Sequence, residues 1–200
     1  LVKKTLVGLV YTVTKFIRDF STLNHRPNPR HNPTPNHQAH IDNSDPKSVE
    51  DTLIKVTKDH GSINTLVNAA GFDIPQKFIS EIDIDFWKGV IDADINGFFN
   101  LIKFGLPYLR QSKGSIVFIS SAGLFKYPPG DILSVAPKAT IEHILKGIAK
   151  EEGSNGVRAN SIALGIIDTG IFHRLREEEN TFFDDDDDDA LMAMSLESPP

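Results

Sequence analysis

Residues 114–121 read Gly-Ser-Ile-Val-Phe-Ile-Ser-Ser, and the reading of this stretch decides the fold. Four consecutive apolar residues, Ile116 to Ile119, predict a strand buried on both faces, because a half-exposed strand would alternate with polar positions. A glycine- and proline-containing loop leads on to Ser134-Val135-Ala136-Pro137-Lys138. Ile141, Ile144, Leu145 and Ile148 then recur at helical spacing and predict a helix from about 134 to 152. A second apolar run over 157–164 predicts another strand, which ends in Leu164-Gly165-Ile166-Ile167-Asp168-Thr169.

The same alternation extends upstream. Asp45-Pro46 pairs a capping carboxylate with a proline whose missing N–H costs nothing in a first helical turn. Val49, Leu53 and Val56 give that helix one apolar face, and Gly61 ends it. Thr65 to Ala69 predicts a short buried strand, and Gln38 to Asp42 a weaker one. Ser80 is the expected cap of a long helix carrying Phe86, Val90, Ile91, Ile95, Phe98, Leu101 and Ile102, with Pro107 expected to kink it or end its first segment. Residues 5–20 carry a rough helical stripe. Strands alternating with helices of this length imply parallel pairing through right-handed crossovers. The expected class is α/β: a Rossmann-like three-layer domain with a mostly parallel sheet.

Composition narrows the function. The 200 residues carry 21 lysines and arginines against 27 aspartates and glutamates, a formal charge of −6. That balance argues against non-specific nucleic-acid binding, which depends on clustered basic residues. There is no cysteine, so disulfides, thiolate metal sites and cysteine nucleophiles are excluded. No apolar run is long enough for a membrane span, and residues 1–17, with Lys15 among them, are too polar for a signal-peptide core. A cytoplasmic protein is expected. Residues 24–37 hold prolines 27, 29, 33 and 35 and no apolar side chain, and predict an extended loop. The histidines at 25, 31, 37 and 40 fit no ligand spacing, so no metal is expected. Residues 173–200 form a charged tail in which Asp184 to Asp189 repel one another and stay solvated.

The order serine, Ser134-x-x-x-Lys138, Gly165-x-x-x-Thr169, preceded by Asn68-Ala69-Ala70-Gly71, resembles the short-chain dehydrogenase/reductase family over roughly residues 38–172. That family's pattern is a serine, Tyr-x-x-x-Lys and Pro-Gly-x-x-x-Thr. The resemblance implies hydride transfer between NAD or NADP and an alcohol or carbonyl. It implies Ser121 as the hydroxyl that binds the substrate oxygen, with Ser120 as a rival. Lys138 would lower the pKa of the acid and hold the cofactor ribose. Asp94, three residues before Gly97, stands where the family has an asparagine. Asp42, Asn68, Ala69, Gly71, Gly165 and Thr169 fall on cofactor-binding positions.

Two departures bear on activity. Ser134 stands in the place of the tyrosine, either as a weak surrogate acid or as an ordinary first-turn serine; loss of a positioned general acid costs on the order of 10² to 10⁴ in rate. Pro137 fits a helix that begins close to 134. The family's glycine-rich phosphate loop has no counterpart near Gly8, so residues 1–37 are expected to be a degenerate nucleotide-loop region within a single domain, 1–172. The domain is thus expected to be incomplete at both ends and impaired or inactive. The alternatives are a non-catalytic relative, pairing as a homo-oligomer through helices at about 81–112 and 134–152, or a truncated gene product.

Overall fold

The computed structural model describes residues 41–71 and 74–165. The stripe at 5–20, the proline–histidine loop, Thr169 and the charged tail lie outside the described residues. The element order is α1 (Pro46–His60), β1 (Thr65–Asn68), α2 (Ile84–Ile91), a π-helical turn (Asp92–Asn96), α3 (Gly97–Ser112), β2 (Ser115–Ser121), α4 (Ile132–Glu152) and β3 (Arg158–Leu164).

The three strands form one sheet in the order β1-β2-β3, parallel throughout. Leu66 pairs with Ile116 and Asn68 with Phe118, while Ser121 pairs with Leu164. Parallel neighbours cannot be joined by a hairpin, and each crossover here is helical, as expected. Ile116 and Phe118 enter a core with Leu66, Val49 and Leu53 of α1, Phe98, Leu101, Ile102 and Leu109 of α3, and Ile141, Leu145 and Ile148 of α4. The Phe98 and Phe118 rings meet edge to face at 5.6 Å. Because side chains alternate along a strand, Val117 and Ile119 point to the opposite face, where they are half-buried. The described helices cover one face of the sheet, and the expected third layer lies outside the described residues.

Each helix start has a local cause. The Asp45 side chain accepts from Lys47 N at 3.0 Å, and Gly61 leaves α1 at φ 85°, a conformation open to glycine. Three sequence expectations are corrected in the next helices. Asp83, not Ser80, caps α2, accepting from the backbone of Asp85 and Phe86 at 2.9 Å each, while Ser80 sits in a short 3₁₀ turn. The expected single helix is divided at the π turn rather than at Pro107, which lies inside α3. Proline removes the bond to the Lys103 carbonyl, but both residues are exposed, so water can take that acceptor. Finally, α4 begins at Ile132, two residues early, so Pro137 is its sixth residue and is fully buried.

Two glycines set how closely α3 approaches its neighbours. A Cβ at Gly105 would come within 2.4 Å of Leu66 Cδ1, and one at Gly97 within 3.0 Å of Asn43 Cβ. At the far end, Arg110 of α3 donates Nε (2.7 Å) and Nη2 (2.5 Å) to the carboxylate of Glu152 on α4. Asn155 adds a third donor at 2.8 Å. These bonds hold the Glu152 carboxyl down at about 2, Arg110 contributing most and Asn155 next.

Candidate functional site

In a parallel sheet all strand C-termini open on one edge, and ligands of open α/β sheets bind outside that edge. Here Asn68, Ser121 and Leu164 end the three strands. Asn68 is buried, and Ala69 and Gly71 follow it in exposed backbone. A Cβ on Gly71 would meet no atom of the described residues within 4 Å. Gly165 follows β3 and is exposed.

Ser121 closes β2 with its own turn: its Oγ accepts from Gly123 N at 3.1 Å. Gly123 has no room for a side chain, since a Cβ would lie 3.1 Å from Val135 Cγ2 and 3.2 Å from Ser121 Oγ. The glycine therefore seats the Ser121 turn directly on the first turn of α4. Ser120, the rival serine, points into the core face; it is 3% exposed and its Oγ has no hydrogen-bond partner among the described residues.

The first two turns of α4 carry the remaining groups. Lys138 Nζ donates to Ser134 Oγ at 2.8 Å and reaches the Ser134 carbonyl at 3.5 Å. Positions 134 and 138 are one turn apart on one helix face, so this contact follows from spacing alone. The Ser134 hydroxyl is thus turned to the lysine rather than to a helix N–H. Burial lowers the pKa of Lys138, and the carboxylates of Asp94 and Asp131 oppose that shift. Asp94 is half-buried in the π turn, which packs on α4. Asp42 closes the turn before α1, where its Oδ1 accepts from Ser44 N (2.9 Å) and Ser44 Oγ (2.7 Å).

Asp131 stands beside this site and was missed in the sequence, where the helix is expected from about 134 and position 131 falls in the preceding loop. Its main-chain carbonyl does start α4, accepting from Ser134 N (3.0 Å) and Val135 N (2.9 Å). Its side chain makes no capping bond. Burial pushes its carboxyl up to about 6, and Lys138 pulls the other way. The spacing was available: 131 stands three and seven positions before 134 and 138. Among the described residues there is no group of carboxylates or histidines arranged to hold a metal.

A strand-edge hydroxyl and a lysine one turn from a second hydroxyl stand at the C-terminal edge of a parallel α/β sheet. The chain belongs to the short chain dehydrogenase family, whose sequence profile matches residues 29–180. An uncharacterized oxidoreductase of Staphylococcus saprophyticus is 35% identical over 130 residues, covering 64% of this chain and 55% of that protein. The meso-2,3-butanediol dehydrogenase of Serratia marcescens is 32% identical over 133 residues, covering 66% and 53%. The chain spans about half the length of the curated relatives it matches. Among solved structures, the KRED1-Pglu enzyme superposes with a TM-score of 0.67 at 28% identity, covering 77% of this chain and 62% of that one. ElxO with NADP bound gives 0.65 at 26%, covering 72% and 58%. No helix among the described residues is long and apolar enough to cross a membrane.

Proposed function

We propose that this chain is a weakened NAD(P)-type oxidoreductase acting on an alcohol or carbonyl. The observation that carries the reading is the 2.8 Å bond from Lys138 Nζ to Ser134 Oγ beside the C-terminal edge of the sheet. The described donors suit a nicotinamide dinucleotide: Lys138 for the ribose hydroxyls of the nicotinamide half, and the Asn68–Gly71 segment for the adenine ribose. A bound nicotinamide would supply or accept the hydride. Ser121 would hold the substrate oxygen, and fixed donors there matter because charge develops on that atom.

Ser134 explains the weakening. Its hydroxyl is a much weaker acid than a phenol, and its short side chain cannot reach where a tyrosine reaches, so the rate is expected to fall by about 10² to 10⁴. The absence of a glycine-rich loop near Gly8 weakens cofactor retention further. Trp87 lines a hollow with Asp92 and Asn96 of the π turn. Titrating NADH or NADPH against its fluorescence tests the reading, and no saturable change at millimolar cofactor would sink it.

A second reading is association without catalysis. It is favoured by Phe99 on α3, 54% exposed, and by a shallow hollow on α4 lined by Ala139, Thr140, His143 and Ile144. Light scattering that finds only monomer at high concentration would count against it.

A further inference from the structure

We infer that Asp131 is the proton donor of this site, its carboxyl standing in for the missing phenol. The inference rests on the oxidoreductase reading and adds the group that would complete it. Four observations lead there. Asp131 is the N-cap residue of α4, three and seven positions before Ser134 and Lys138, and its carboxyl lies within electrostatic range of the Lys138 ammonium. Helix side chains lean toward the N-terminus, which carries the Ser134–Lys138 pair toward Asp131. The Asp131 carboxyl does no capping, unlike those of Asp45 and Asp83, each of which accepts from its own helix. The Ser121 turn is packed on the same first turn of α4, with Gly123 against Val135, which brings the substrate-oxygen hydroxyl to the start of that helix.

A carboxyl is a general acid only if it keeps its proton near neutrality. Burial moves Asp131 toward that range, raising it to about 6 against the pull of Lys138, so the proton is held mainly below pH 6. Among the described residues, Lys138 on its own helix acts on it and Asp94 on the π turn acts on Lys138, while Lys77, Lys126 and Tyr127 stand in the two loops joined by the bond from Lys77 N to the Gly130 carbonyl at 2.9 Å. Lys77, Lys126 and Tyr127 are exposed. Asp94 favours the charged form of Lys138.

In carbonyl reduction, hydride passes from a reduced nicotinamide to the carbonyl carbon and the C=O π pair moves onto oxygen. That oxygen takes the Asp131 carboxyl proton. The carboxylate left behind takes a proton from water before the next turnover. Alcohol oxidation runs the same transfers backward, with the carboxylate as base.

The test uses the full chain, 2,2,2-trifluoroacetophenone as the carbonyl probe, and NADH or NADPH. Binding is read first from Trp87 fluorescence. The carboxyl of Asp131 is then titrated by carbon NMR, its signal identified by its loss in Asp131→Asn. We expect a midpoint near 6 that rises in Lys138→Met, reduction that is flat below that pH and falls tenfold per unit above it, and at least a 30-fold slower Asp131→Ala partly restored by added formate. A midpoint near 4 overturns the inference. So does unchanged turnover in Asp131→Ala, or no turnover at any pH with cofactor bound. Failure to bind either cofactor instead removes the oxidoreductase reading, and the inference falls with it.

Discussion

Replacing Arg110 by methionine should loosen the clamp between the ends of α3 and α4. The substitution keeps the aliphatic stem and removes two charge-assisted bonds from Glu152, whose side chain is 9% exposed. Arg110, and Asn155 after it, hold the Glu152 carboxyl down at about 2. Arg110 is 48% exposed, so water screens the pair, and about 1 kcal/mol, the upper end for a screened ion pair, is the expected loss at pH 7. The sign follows from linkage. A depressed carboxyl contributes its full stability above pH 4.5 and loses it as pH falls toward 2. Urea unfolding followed by circular dichroism should therefore show wild type and Arg110→Met about 1 kcal/mol apart at pH 7. The gap should shrink to less than half of that by about pH 3. A gap below about 0.5 kcal/mol at pH 7, or one that does not change with pH, would refute the account of the clamp.

Three further outcomes are expected. Gly105→Ala forces a methyl against Leu66 Cδ1, which is itself buried, so a loss of about 1–3 kcal/mol should appear as a lower melting temperature. Asp131→Asn should act in the opposite sense: its raised carboxyl favours the fold only while protonated, and that advantage is lost as pH rises through about 4 to 6. The variant should gain about 1–2 kcal/mol over wild type at pH 8 and nothing at pH 4, read from parallel urea titrations. Ser134→Tyr should raise kcat/KM by less than about tenfold, because retention of the cofactor remains limiting; robust carbonyl reduction by that single variant would contradict the reading of residues 1–37.

The parts legible in the sequence were those with a strong local cause. Ile116 to Ile119 could only be a buried strand, and Asp45-Pro46 could only start a helix. The Ser134–Lys138 contact followed from a spacing of four residues. The helix that begins at Ile84 was harder, because Ser80 and Asp83 are both good caps and only packing chooses between them. Pro107 misled for a similar reason: its cost depends on whether the freed carbonyl meets water, which no local pattern states. Asp131 was hidden because the apolar stripe predicts a helix only from about 134, which leaves position 131 in a loop, and its burial is a tertiary effect that no local pattern states.

The π turn at Asp92–Asn96 has a consequence for how this chain tolerates change. Five residues there make one turn where an α-helix would use about four, so the turn absorbs a residue and resets the phase between α2 and α3. Val90 on one side and Phe98 on the other both stay in the core, while Asp94 is brought against α4. Deleting Ala93 would leave a sequence better suited to an unbroken α-helix, yet every residue before it would rotate by about 100° relative to those after. The chain would keep its helix and lose its register, so the turn acts as a vernier between core and site.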